Sequence, residues 1–580
     1  MGGYVGVDFF FVISGFLITY GILRKVGRPD ARFSLKDFWL RRVRRLFPAL
    51  VVLVLVCVPL AALIYPELLV GAARQVLGAL TCTTNWVEIV HGSNYFDQAN
   101  PMLFKNLWSV AVEEQFYLIW PPILLALLSR RLSHKRLLGV GAGVTLASVL
   151  LMAVLASPEN YTRVYYGTDT HCFGLALGIL LAFVWTQEDG PLSKRWLSSR
   201  RWVGALPVVG LVGFWAIVML ISDTSRLTYP LGLFLASLCS LALVTSVVAR
   251  PSSPFTNAME LRAVRWLGTR SYGIYLWHWP LLVFGRILVP TAVGTVENVL
   301  VDVAFVLVSL VISELSYRFV EEPFRRDGIM RSLRRIGHGA RAGWAARAQV
   351  AACAVLVVAT VASVVTAPEK TELQQQVENL HAQQAEEQDP DDVIVTDKDA
   401  DSQGEGDTSS IPNYDASQMT GMPSGSTVTA IGDSLISGTS AGFNAEFEGI
   451  NFLAEPIRKW DDAVQVVNDG LEQGLIRQNV ILDFGTNGGV WDESLVRQVI
   501  DALGPERRIL LYNIYSPSSF VDESNEVYAK IAEEYPNVYL VDWSSVARAH
   551  PEYLKADRTH PNMTGMYPFV DLSVTAFSES

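Results

Sequence analysis

Residues 427–438 read TVTAIGDSLISG. A run of small and apolar residues ends at Gly432-Asp433-Ser434, and small polar residues follow. That is the pattern of a buried strand closing in a tight turn that presents a serine. The pattern recurs downstream. STVTAIGDS, INFLAE, NVILDFG, RILLYNIY and VYLVDW read as buried parallel strands, and DAVQVVNDGLEQG, ESLVRQVIDALG and SNEVYAKIAEEY read as helices between them. This alternation over 425–580 predicts a doubly wound α/β sandwich. Such folds place their sites at the carboxyl ends of the strands.

Three short stretches carry the chemistry of this region. The first strand delivers Gly432-Asp433-Ser434, and the third delivers Gly485-Thr486-Asn487-Gly488. Near the C-terminus comes Asp557-Arg558-Thr559-His560-Pro561-Asn562. A serine hydroxyl is a poor nucleophile until a base takes its proton, and a histidine does so when a carboxylate fixes its tautomer. Asp557, three residues before His560, can turn back to the ring from a short loop. The Asn487 amide and the Ser434 N–H are candidate oxyanion donors. His550 competes as the base but lacks an aspartate at that upstream spacing.

Each stretch alone is an ordinary turn or a surface histidine. Together and in this order, GDS, the block with Asn487 and the closing DRTH resemble the SGNH hydrolase/esterase superfamily over 425–580. The resemblance implies Ser434 as nucleophile, His560 as base, Asp557 as its orienter and Asn487 as oxyanion donor. One block departs from the pattern. The glycine that usually follows the second strand is absent from EPIRKW, so the backbone of Ile457 or Arg458 is the expected substitute.

The rest of the chain has a different character. Half of the 580 residues are hydrophobic and only 18% are charged, against about a quarter charged in ordinary soluble domains. Apolar runs long enough to span a bilayer recur at roughly 6–23, 48–66, 108–128, 137–156, 172–186, 202–222, 230–248, 271–289, 297–315 and 349–367. Segment 71–90 is more polar and reads as re-entrant or interfacial. Lys plus Arg number nine, four, four, four and eight in loops 24–47, 129–136, 187–201, 249–270 and 316–348. The alternate loops 67–107, 157–171, 223–229 and 290–296 hold two, one, one and none.

The positive-inside rule puts the basic set in the cytoplasm and the chain after 367 outside it. The Arg clusters lie between apolar runs, so they read as topology rather than as nucleic-acid binding. The same count puts Met1 outside, and a further span before it is expected. Segment 368–424 is acid-rich with a single aromatic, Tyr414, and reads as a stalk or flexible linker. The five cysteines, Cys57, Cys82, Cys172, Cys239 and Cys353, show no zinc or disulfide spacing and read as small apolar packing residues.

Several membrane stretches are more than lipid anchors. They are GVDFFFVISGFLIT with FWLRRVRRLFPAL, then NLWSVAVEEQFYLIWP, then YYGTDTH, WLGTRSYGIYLWHWPL and SYRFVEEPFR. Ionisable residues at span edges are costly and mark sites. Glu113 and Glu114 stand near the outer end of one span, and Arg41, Arg42, Arg44 and Arg45 near the cytoplasmic end of another. A phosphate-bearing donor such as a coenzyme A thioester suits that cluster.

In order, these stretches resemble the acyltransferase-3 membrane family over 1–325. By that resemblance the RxxR motif falls on Arg42 and Arg45, or on Arg41 and Arg44. WSxAxEEQFY falls on Trp108, Ser109, Glu113, Glu114, Gln115, Phe116 and Tyr117. The family also carries an earlier span with an Arg or Lys and a later histidine, which is the span expected before Met1. A frequent histidine two residues before the tryptophan is Asn106 here.

An acyltransferase-3 domain joined by one more span, here 349–367, to an SGNH domain resembles the O-acetyltransferases of peptidoglycan and surface polysaccharides. The division expected is 1–325 membrane domain, 326–367 basic loop and joining span, 368–424 linker and 425–580 catalytic domain. The resemblance implies acetyl-CoA as donor substrate with no bound cofactor or metal, a glycan acceptor, and an acetyl group relayed outward to Ser434. An esterase with a degenerate membrane part is the rival reading, and a non-enzymatic scaffold or transporter is the second.

Overall fold

A computed structural model of the chain describes residues 3–28, 33–91, 102–157, 160–190, 192–221, 225–292, 294–329, 331–332, 344–370, 375, 411–412, 414–456, 458–555 and 557–580. Most of the acidic segment 368–424 lies outside these residues, as do Met1, Ile457 and part of the basic loop 326–348. The chain divides into two compact units, one drawn from residues up to 367 and one chiefly from 368–580.

The regular structure of the first unit is helical among the described residues. Among the described residues, seven helices are long and apolar enough to cross a bilayer: Gly3–Val26, Leu35–Ile64, Leu107–Ser129, His134–Leu155, Arg201–Leu220, Arg226–Ala249 and Val296–Asp327. These coincide with seven of the ten expected spans. The other three are helices of a different kind. Phe173–Thr186 has 14 residues, about 21 Å at 1.5 Å per residue, short of a 30 Å hydrocarbon core. Arg262–Leu288 is long, but arginines at 262, 265, 270 and 286 punctuate it. Val350–Val365 is the apolar part of the helix Trp344–Val365. The polar segment 71–90 forms two short helices, Ala72–Thr81 and Thr84–His91. Cys82, in the left-handed region at φ 58°, follows the first of them.

Small residues set the tightest packing in this unit. A Cβ on Gly15 would stand 2.1 Å from the Leu175 carbonyl oxygen, and one on Gly178 would stand 2.3 Å from that of Val12. The helices Gly6–Val26 and Phe173–Thr186 thus meet backbone to backbone, as small residues allow inside membranes.

The second unit is the sandwich that the alternation predicts. Its strands are β1 (Val428–Gly432), β2 (Asn451–Ala454), β3 (Asn479–Asp483), β4 (Arg508–Tyr512) and β5 (Val538–Val541). All pair in parallel, in the order β2-β1-β3-β4-β5. The near-continuous apolar character of the strands reflects burial on both faces.

Successive residues point to opposite faces. Val428, Ala430, Ile481, Leu510 and Tyr512 join one apolar layer with Phe443, Trp543, Phe569 and Phe577. Ile431, Val480, Leu482, Ile509 and Leu511 join the other with Trp460, Val467, Val499 and Tyr528. The helices Ser434–Glu446, Trp543–Ala549 and Met563–Glu579 therefore cover one face. Trp460–Glu472, Glu493–Leu503 and Val521–Glu534 cover the other. The strand order reverses between β1 and β3, where an open α/β sheet leaves a crevice for a ligand.

Candidate active site

Ser434 and Asn487 both leave the sheet at that reversal. Asp433 caps the helix that Ser434 begins, because its Oδ1 accepts the Leu435 N–H at 3.1 Å. Only Asp433 thus stands between the strand end and the helix, which presents Ser434 at its first turn. Asp433 Oδ2 accepts the Thr486 N–H at 3.2 Å, so the same carboxylate also fixes the turn after β3.

The closing DRTH segment folds around its own aspartate. Asp557 Oδ1 accepts the backbone N–H groups of Thr559 and His560 at 2.9 and 3.0 Å. Its Oδ2 lies 2.7 Å from His560 Nδ1. A carboxylate only accepts, so Nδ1 carries the hydrogen and Nε2 keeps its lone pair. That Nε2 lies 2.7 Å from Ser434 Oγ. A ring held so can take the serine proton. Burial alone lowers the His560 pKa, but the Asp557 carboxylate, helped by Asp433, more than offsets this, and the net shift is upward.

Two buried carboxyls lie beneath the serine. Burial pushes Asp433 up to about 6 although N–H donors face it. Asp483 is raised further, first by burial and then by the Asp433 charge. Both Asp483 side-chain oxygens are buried with no hydrogen-bond partner among the described residues. Asp483 is therefore the neutral acid of the pair, and Asp433 is the anion that holds the turn.

Asn487 is close to the serine turn, and its amide is occupied. Its Nδ2 donates to Asp433 Oδ2 at 3.4 Å and to the Arg458 carbonyl at 3.2 Å. The oxyanion role expected of it requires the amide to leave one of those acceptors. Of the two backbone groups expected to replace the absent glycine, Ile457 lies outside the described residues. Arg458 contributes its carbonyl to Asn487 while its guanidinium binds the Leu453 carbonyl and Glu455. His550, the competing base, pairs with Glu552 at 3.0 Å and stacks on Tyr553. Asp483 was the residue sequence reading missed; an acid inside the apolar run NVILDFG was its signal.

The first unit gathers a second set of predicted residues. Glu113 accepts from Ser14 Oγ at 2.8 Å and from the Tyr117 hydroxyl at 3.1 Å. The Arg42 guanidinium lies over the Tyr117 ring at 5.1 Å and over Phe38 at 5.6 Å. Arg41 and Arg45 are exposed and Arg44 half-buried; Arg42 packs on the Tyr117 ring of the glutamate motif. One oxygen of Glu114 is buried without a partner among the described residues. Ser109 Oγ lies 2.5 Å from the Tyr275 hydroxyl, and Trp108 stacks on His171 at 5.7 Å. Ser14 was not singled out from the sequence, nor was the buried pair of Asp8 Oδ1 and His171 Nε2, 3.3 Å apart. An acid within the first apolar run was the available sign of the latter.

The sequence profile of the Acyltransferase domain family matches residues 1–318. The chain is 30% identical to peptidoglycan O-acetyltransferase OatA of Listeria monocytogenes over 100% of this chain and 94% of that protein. It is 29% identical to O-acetyltransferase OatA of Staphylococcus aureus over 99% of this chain and 91% of that one. A solved structure, the C-terminal catalytic domain of Streptococcus pneumoniae peptidoglycan O-acetyltransferase A with a methylsulfonyl adduct, shares 18% identity. It covers 26% of this chain and 90% of its own, with a TM-score of 0.25.

Proposed function

The chain belongs to the Acyltransferase domain family and is an acyltransferase, and on that premise we propose that it O-acetylates a cell-envelope glycan, peptidoglycan first among them, through an acyl-Ser434 intermediate. The observation that carries this reading is the chain of contacts from Asp557 through His560 to Ser434, 2.7 Å at each step.

In the proposed reaction, His560 Nε2 takes the Ser434 proton as Oγ attacks the acyl carbonyl. The proton then passes to the leaving group. A glycan hydroxyl attacks the acyl-serine, gives its proton to His560, and leaves as the acetyl ester. The same proton returns to Ser434. The Ser434 N–H and Asn487 support the oxyanion, with Asn487 turning from Asp433 or Arg458 toward it. Transfer prevails over hydrolysis when the sugar is bound before water reacts.

Acetyl-CoA is the proposed donor, bound from the cytoplasm with Arg41, Arg42, Arg44 and Arg45 facing its phosphates. Trp108, Ser109, Glu113 and Glu114 belong to the proposed membrane passage. The loop charges support an extracytoplasmic 425–580, with membrane domain 1–325, joining segment 326–367 and linker 368–424. The names of the relatives, all O-acetyltransferases, favour transfer over the esterase reading.

Ester-linked acetate released from the cell-wall glycan by mild alkali tests the proposal. Cells carrying Ser434→Ala in place of the wild-type chain are expected to lose it. Acetate at the wild-type level would refute the relay.

A further inference from the structure

We propose that Trp491 and Asp461 form an acceptor subsite for a pyranose ring of the glycan, a reading that rests on the acyl-Ser434 transfer above. Trp491 is 55% exposed and stands outside both core layers of its unit. Its indole N–H donates to Asp461 Oδ2 at 3.3 Å, which gives the exposed ring a fixed edge. The root of the side chain is fixed as well, because the Val490 N–H donates to Ser524 Oγ at 2.9 Å.

Place in the fold connects this indole to the serine site. Trp491 follows the turn that carries Asn487, and Asp461 opens the helix Trp460–Glu472. The same two segments are already joined by the bond from Asn487 to the Arg458 carbonyl. They make one rim, tied at its inner end by Asn487 and at its outer end by Trp491. Trp491 lies four positions after Asn487, so their Cα atoms lie at most about 14 Å apart.

The chemistry of the rim favours a sugar. An indole offers a broad apolar face with a polar edge, and a pyranose offers a C–H face rimmed by hydroxyl and amide donors. A carboxylate beside the ring accepts from such donors. A bilayer surface is the other common partner of an exposed tryptophan. Here the Asp461 carboxylate holds the indole edge and Asp492 is its chain neighbour, and anionic headgroups repel such carboxylates.

The test uses the full chain in detergent with two readouts on each preparation. One is cleavage of an activated acetyl ester without glycan; the other is acetyl transfer to a soluble β-1,4-linked N-acetylhexosamine oligomer. Trp491→Ala is expected to raise the KM for the oligomer about tenfold, the scale of one lost aromatic contact, with ester cleavage within about twofold of wild type. Trp491→Phe keeps a ring and is expected to recover most of the loss. An unchanged KM in Trp491→Ala overturns the subsite. So does a variant whose only defect is weaker binding to phosphatidylglycerol vesicles. A wild-type chain that cleaves the ester but never acetylates the oligomer overturns the transfer reading and the subsite with it.

Discussion

The backbone N–H of Asp433 donates to the Asp483 carbonyl at 3.0 Å, and this brings two buried carboxyls to the ends of neighbouring strands. Asp483 holds its proton in the folded chain well above the ordinary carboxyl range near pH 4. The folded state therefore binds one more proton than the unfolded state over that window. The stability Asp483 contributes is complete below about pH 4 and is lost as pH rises toward its raised pKa. Asp483→Asn removes this dependence. Ester-cleaving activity left after heating is expected to be higher in Asp483→Asn than in wild type, by a margin that widens from pH 5 to pH 8. A margin that stays flat or shrinks would refute the neutral assignment.

Asp557 raises the His560 pKa, and only the neutral ring accepts the serine proton. Ester cleavage is therefore expected to rise with pH through the His560 titration. Asp557→Asn removes the raising charge, so the acid limb moves to lower pH. The plateau falls as well, by about 10²–10⁴-fold, because the ring loses its fixed tautomer. A pH–rate profile checks both, and an acid limb moving upward would contradict the charge argument.

Gly485 adopts φ +105°, and a Cβ there would stand 2.2 Å from the Tyr528 hydroxyl. That hydroxyl accepts from Trp460 Nε1 and donates to the Phe484 carbonyl, both at 2.8 Å. Gly504, at φ +77° with no atom within 4 Å of its would-be Cβ, supplies a control for backbone strain alone. Gly504→Ala is expected to cost about 1 kcal/mol and Gly485→Ala upward of about 3 kcal/mol, since strain and overlap add. Denaturant titration of the two variants measures the difference, and equal losses would show that Tyr528 yields without cost.

Arg42 lies over Tyr117, whereas Arg41 is exposed. Removing Arg42 is expected to starve Ser434 of acyl groups without harming it. Glycan acetate in cells should fall about tenfold in Arg42→Ala, while cleavage of an activated ester stays within about twofold of wild type. Arg41→Ala should do less. A matching loss of ester cleavage in Arg42→Ala would contradict this division of labour.

The sandwich was legible because its strands are buried on both sides and short helices separate them. Asp557 and His560 were legible because three residues are enough for a carboxylate to cap a loop and reach the ring at its end. The occupied amide of Asn487 was hidden, since its partners Asp433 and Arg458 lie 54 and 29 residues away. Asp8 and His171 meet across 163 residues, a pairing that periodicity does not encode. The helices at 173–186 and 262–288 show the limit of reading spans from composition. The apolar helix at 173–186 has only 14 residues, and the one at 262–288 carries four arginines.

The tie from Trp460 through Tyr528 to the Phe484 carbonyl holds the inner turn, while Trp491 stands past that turn at the surface. The hydrogen bonds of that tie involve neither Asp461 nor Trp491. Positions 461 and 491 can therefore vary without removing any bond that fixes the inner turn.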